Sequence, residues 1–222
     1  MQVIDRIHIR EAASGLNISG EIIMPSDSRE ILQTTLTADS QWTSQRQEIM
    51  DNDVVPKLNL YPTKPEQISH IVSHIGEDHH WNWSNKALAL SSSDQYSWFF
   101  LQQNEEIEGI LIAYHPKDSE LEAGNIFYID YIASAPMNRD TPSRKSRYKG
   151  IGSTLIESAC KFFSLKFGYK LGFSLHALPK AEPFYIRIGM QKLGVDTDKE
   201  GLTKFEMMES NCSAFLQKRK AS

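Results

Sequence analysis

Arg147-Tyr148-Lys149-Gly150-Ile151-Gly152 places two cations and two glycines where a basic loop turns into a helical pattern. Such a junction suits an anion. The first N–H groups of a helix lack intrahelical acceptors, the helix dipole is positive there, and glycine lets a pyrophosphate approach without a Cβ in the way. Arg147 and Lys149 would add charge. A plain helix cap accounts for the same glycines, so the segment by itself leaves both readings open. Two other nucleotide motifs drop out: Leu155 stands where a Rossmann fingerprint needs its third glycine, and the Gly-Lys-Ser/Thr of a P-loop is absent.

Asp130 is the carboxylate in the otherwise apolar run Ile126-Phe127-Tyr128-Ile129-Asp130-Tyr131-Ile132. A charge there is costly unless it is hydrogen-bonded or faces a cleft. Strand alternation puts Tyr128, Asp130 and Ile132 on one face, which makes Asp130 a candidate base. A hydrogen-bonded structural aspartate fits equally well. His176 is a weaker acid–base candidate, since a strand histidine is more often simply satisfied. His70, His74, His79 and His80 crowd one region, and the first two have the i, i+4 spacing that can share a metal. They oppose the apolar face Ile68, Ile71, Val72 and Ile75, so a solvated polar side is the expectation and no metal is assigned.

The elements that must position these groups follow from punctuation and period. Ser26-Asp27-Ser28-Arg29-Glu30 reads as a cap for a short helix over 31–36, followed by a polar, Gln-rich stretch. Residues 1–55 read as a separate extension whose role the sequence does not reveal. Pro56 and Pro62 bracket an alternating run over 57–61 that suits a strand. The spacing of Ile68, Ile71, Val72 and Ile75 predicts an amphipathic helix ending at Gly76, and a second helix is expected over 81–90. Runs at 97–101 and 107–114, joined by Asn104-Glu105-Glu106, predict an antiparallel hairpin, with a further strand over 125–133. A helix with Leu155, Ile156, Ala159, Phe162 and Phe163 on one face ends at Gly168. A strand over 171–177, a short helix over 181–188 and a strand over 202–208 complete a mixed α/β sheet.

One further segment makes a family resemblance specific. Arg147 to Gly152, followed by Ala181-Glu182-Pro183-Phe184-Tyr185-Ile186-Arg187-Ile188-Gly189-Met190, resembles the GNAT superfamily of N-acetyltransferases. That family carries Arg/Gln-x-x-Gly-x-Gly/Ala and then roughly Ala-x-x-Phe-Tyr-x-x-x-Gly-Phe/Met, in this order. Tyr131-Ile132-Ala133-Ser134-Ala135-Pro136 is similar to its Leu-Ala-Val-x-Pro strand end. The resemblance covers 56–210, leaving 211–222 as a tail, and implies a mostly antiparallel mixed sheet flanked by helices. It implies acetyl-CoA as co-substrate, with the backbone of Ile132, Ala133 and Ser134 on the pantetheine arm and Arg147, Tyr148, Lys149, Gly150, Ile151 and Gly152 on the pyrophosphate. It also implies Tyr185 as general acid, because thioester aminolysis expels a thiolate that a hydroxyl can protonate. Of the Phe-Tyr pair, Phe184 is expected in the core.

The chain departs from the family pattern in places. Ser134 replaces an aliphatic residue, and the loop from Pro136 to Arg147 is longer than usual. Leu178 stands where many members have a cofactor-contacting asparagine, and Phe173 where some have a glutamate base. No role passes to Leu178.

Composition bounds the rest. With 222 residues, 40% hydrophobic and 23% charged, the chain should fold as a globular protein. A net charge of −4 supplies no global field for nucleic acid. Charges at Asp5, Arg6, Arg10 and Glu11 break any secretory leader, no apolar run reaches membrane-spanning length, and Cys160 reads as a buried thiol. A cytoplasmic N-acetyltransferase acting by direct attack on a primary amine is the resulting expectation. Its partners would be a small-molecule or peptide amine acceptor and at most a second copy in a homodimer, with no nucleic acid and no membrane. The acceptor would be sought at residues 76–83. The alternative is a non-catalytic acyl-CoA-binding regulatory module.

Overall fold

The computed structural model describes residues 1–60, 76–141 and 144–220. Its strands are β1 (Gln2–Glu11), β2 (Asn17–Met24), β3 (Tyr96–Gln103), β4 (Glu106–Asp118), β5 (Asn125–Ser134), β6 (Tyr148–Lys149), β7 (Phe173–Ala177), β8 (Gln191–Asp196) and β9 (Leu202–Met207). Its α-helices are α1 (Ser28–Ile49), α2 (Val55–Leu60), α3 (Trp83–Leu90), α4 (Ile151–Phe167), α5 (Glu182–Arg187) and α6 (Glu209–Lys220). The strands form one sheet in the order β6-β1-β2-β3-β4-β5-β7-β9-β8. Pairing is antiparallel at β6-β1-β2-β3 and at β7-β9-β8, and parallel between β5 and β7. The protein is therefore a mixed α/β fold with a mostly antiparallel sheet flanked by helices. Among the described residues no helix is long and apolar enough to cross a membrane.

Contacts divide the chain into two compact units. The first comprises Met1–Ser92, Phe100–Ile110 and Ala133–Gly152; the second comprises Ser93–Phe99, Leu111–Ile132 and the chain from Ser153 on.

In the first unit, β1 and β2 occupy a stretch to which the sequence reading assigned no element. Asp27 caps α1, its carboxylate accepting the Glu30 N–H at 2.8 Å, and Glu30 in turn accepts the Ser26 N–H at 2.8 Å. The helix runs on to Ile49, well past the six residues expected. Its buried stripe is Ile31, Thr34, Thr35, Ala38, Trp42 and Gln45, a helical spacing that hydrophobicity alone hides. The threonine hydroxyls return hydrogen bonds to the preceding turn, and Trp42 donates its indole N–H to the Ile107 carbonyl at 2.8 Å. These bonds make burial of a polar stripe affordable.

Five residues in π-helical conformation, Met50–Val54, lead directly into α2, which corrects the strand expected over 57–61. Pro56 follows Val55, whose N–H reaches back to the Met50 carbonyl, so the proline, with no N–H to give, sits where π-helical bonding passes into α-helix instead of bounding a strand. The helix expected before Gly76, with His70 and His74, lies outside the described residues. The hairpin turns on Asn104 and Glu105, both left-handed, at φ 47° and 65°, the geometry of a two-residue turn matched to strand twist.

The second unit is built on α4, whose Leu155, Ile156, Ala159 and Phe163 are fully buried. Phe163 stacks on Phe127 of β5 with ring centroids 4.5 Å apart. The expected tail is a helix, α6, which buries Cys212, Phe215 and Leu216, and the Cys212 thiol meets that of Cys160 at 3.6 Å.

Candidate active site

The first unit carries residues 147–152, the segment expected to meet an anion. Tyr148 and Lys149 form β6 by pairing with Glu11 and Arg10 of β1, and Ala12 donates its N–H to the Arg147 carbonyl at 2.9 Å. The N-terminal strand thus holds the segment from one side. Gly150 follows with φ +79°, a left-handed turn that releases the chain into α4 at Ile151. An L side chain rarely adopts that conformation, so backbone geometry requires the glycine. Tyr148 is buried and donates its hydroxyl to Gln103 at 3.1 Å.

The side-chain charges of this segment have internal partners. The Arg147 guanidinium pairs with Glu106 at 2.5 Å and with Glu108. Burial opposes its charge, but the two carboxylates more than offset this and its pKa is raised. Glu108 is 0% exposed; burial pushes its carboxyl pKa up against the stabilising bonds from Asn138 and Arg147. Asn138 ties the loop together, donating to Glu108 at 2.6 Å and accepting the Tyr148 N–H at 3.1 Å. Lys149 pairs with Asp140 at 2.7 Å. The first backbone N–H groups of α4, from Ile151 on, have no intrahelical acceptor.

At the end of β5, Ala133 is buried, and the Ser134 carbonyl accepts two bonds from the Arg139 guanidinium, at 2.8 and 3.2 Å. The sequence reading missed Arg139 and Asp78, a bidentate ion pair at 2.5 and 2.6 Å. A Cβ on Gly76 would collide with that pair, so glycine here is more than a helix stop. The Gly76 carbonyl lies 3.0 Å from His79 Nδ1 and accepts its hydrogen bond in the tautomer that carries the proton there.

In the second unit β5 behaves as its alternation predicts: Phe127 and Ile129 are buried, while Tyr128, Asp130 and Ile132 are half-buried. Burial, and then the charge of Asp130, raise the pKa values of Tyr96, Tyr128 and Tyr131. Tyr128 also belongs to a chain that the sequence could not reveal. Its hydroxyl lies 2.8 Å from His176 Nδ1, and His176 Nε2 lies 3.0 Å from Asp196. Burial depresses the His176 pKa against the pull of Asp196, so the ring is neutral, donating from Nε2 to Asp196 and accepting from Tyr128. His176 was flagged as a type; its partners lie 48 and 20 residues away and carry no local signal.

Tyr185 is 6% exposed and its hydroxyl pKa is pushed far up by burial. Phe184, expected in the core, is the half-buried member of the pair. Among the described residues, no three His, Cys, Asp or Glu side chains gather as a metal-binding group.

No protein-family model matches the chain, and no curated protein sequence does. Solved structures of similar fold do exist. An uncharacterized protein from Bacillus halodurans aligns over 98% of this chain and 99% of its own at a TM-score of 0.52 and 8% identity. An aminoglycoside acetyltransferase in complex with coenzyme A and kanamycin aligns over 88% and 98% at 0.48 and 12%. The PaiA N-acetyltransferase from Thermoplasma acidophilum, in complex with coenzyme A, aligns over 83% and 97% at 0.44 and 15%. At these identities the likeness concerns the fold alone.

Proposed function

We propose that this chain is an N-acetyltransferase of the GNAT type that transfers acetyl from acetyl-CoA to a primary amine of a small molecule or peptide. The observation that carries the reading is the start of α4: a left-handed Gly150, a second glycine at Gly152 and first-turn N–H groups without intrahelical acceptors, downstream of a strand end that resembles the family's. Because Arg147 and Lys149 are already paired with carboxylates, the pyrophosphate is held chiefly by backbone N–H groups. Acetyl-CoA supplies an activated thioester. The amine nitrogen attacks its carbonyl carbon, the C–S bond breaks, and the thiolate takes a proton.

Tyr185 fits the donor role in that burial keeps its hydroxyl protonated. Asp130 takes the proton lost by the amine. The assay is free-thiol release from acetyl-CoA across a panel of primary amines. Tyr185→Phe is expected to keep coenzyme A affinity and lose about a hundredfold or more in turnover. Asp130→Asn is expected to flatten the acid limb of the rate profile. Coenzyme A binding with no thiol release from any amine would make the chain a binding module, and wild-type turnover in Tyr185→Phe would return that tyrosine to packing.

A further inference from the structure

The first unit contains a cavity of about 250 Å³, below the size of typical drug-sized sites, whose lining includes Arg46, Ile49, Met50, Gly76, Pro136 and Arg139. Its two guanidiniums differ in their commitments. Arg139 is saturated by two bonds to Asp78 and two to the Ser134 carbonyl. Arg46 feels the charges of Asp78, Asp39 and Arg139, but among the described residues it makes no ion pair. Both carboxylates have other donors: Asp78 is clamped by Arg139, and Asp39 accepts the Trp83 and Ser84 N–H groups at 2.9 and 2.8 Å. Burial is the largest influence on Arg46 and depresses its pKa, as for a cation that lacks a close counter-charge.

We infer that this cavity binds a small carboxylic acid with an apolar body, its carboxylate on Arg46 and its body against Ile49, Met50 and Pro136. Arg46 makes no direct ion pair among the described residues, and its flat guanidinium fork matches the two oxygens of a carboxylate. The apolar wall favours a hydrocarbon body over a hydrated phosphate dianion. The site lies within one unit and takes in Gly76 and His79 of the stretch where the acceptor is expected, but its test reads carboxylate binding and does not require acetyl transfer.

Calorimetry on the full chain with hexanoate, phenylacetate and N-acetylleucine tests it, with hexanamide and inorganic phosphate as controls. The carboxylates are expected to bind saturably, with hexanamide weaker by about tenfold or more. Arg46→Gln is expected to lose at least that factor, Arg46→Lys to recover part of it, and Met50→Trp to block the cavity with Arg46 intact. The inference is overturned if no carboxylate binds, if hexanamide binds as well as hexanoate, if phosphate is the preferred ligand, or if carboxylate affinity in a folded Arg46→Gln protein is unchanged.

Discussion

Gly150 is the residue on which the proposed anion site turns, for two separable reasons. Its φ of +79° is a left-handed conformation, and the absence of a Cβ leaves the α4 N–H groups open to an approaching phosphate. Gly150→Val would therefore combine about 1–3 kcal/mol of backbone strain with a steric block. The expected outcome by calorimetry is coenzyme A affinity lowered by at least about tenfold, beyond any loss in thermal midpoint. Unchanged affinity in the folded variant would sink the pyrophosphate assignment. Arg147 shows the opposite lesson. Its residue type points to an anion, but Glu106 and Glu108 already neutralise it, and nothing in the local sequence declares that pairing. The Phe184-Tyr185 pair likewise could not be sorted from sequence, because on a six-residue helix neighbouring side chains point about 100° apart and only packing decides which faces inward.

Elements with punctuation were legible, and elements held by tertiary bonds were not. The α1 cap, the Gly168 stop, the hairpin turn and α3 follow from residues that act on their own neighbours. The full length of α1 does not, because Thr34, Thr35 and Gln45 look solvated until the structure shows where they pack. The start of α3 illustrates how one element positions another. Asn82 caps it locally, accepting the Asn85 N–H at 2.7 Å, while Asp39 of α1 accepts the first two N–H groups of the helix. Asp39→Ala removes the second cap only and is expected to destabilise by about 1–2 kcal/mol. The urea midpoint should fall with the slope unchanged, and Asp39→Asn should retain part of the loss. A midpoint shift within error for Asp39→Ala would mean that the α1–α3 link carries no stability.

Across the whole molecule, buried histidines tie stability to pH. His115 is 6% exposed, Ser97 and an aromatic cluster surround it, and burial depresses its pKa; His176 is depressed likewise. Both rings bind protons less readily folded than unfolded. Their contribution is therefore complete above the ordinary histidine value of 6.5 and declines as pH falls from there through the depressed folded values. Asp78 and Glu157, where burial is outweighed by arginine and lysine partners and the carboxyl pKa is lowered, add a second loss as pH falls from their ordinary values of 3.8 and 4.5. Thermal midpoints should drop between pH 7 and 5, and a His115→Gln/His176→Gln protein should show a flatter profile there. A flat wild-type profile over that window would contradict the sign. The sequence by itself determined the mixed α/β class, most of the strands from β3 onward and the glycines at the start of α4, since each is written in short-range backbone preference and period. Tertiary structure alone decided that Arg147 and Lys149 are paired, that Tyr185 is the buried ring, that Tyr128, His176 and Asp196 form one chain, and that Arg46 has no ion pair among the described residues. Those outcomes depend on which carboxylate or hydroxyl a distant part of the chain delivers within about 3 Å, and no local pattern encodes a partner tens of residues away.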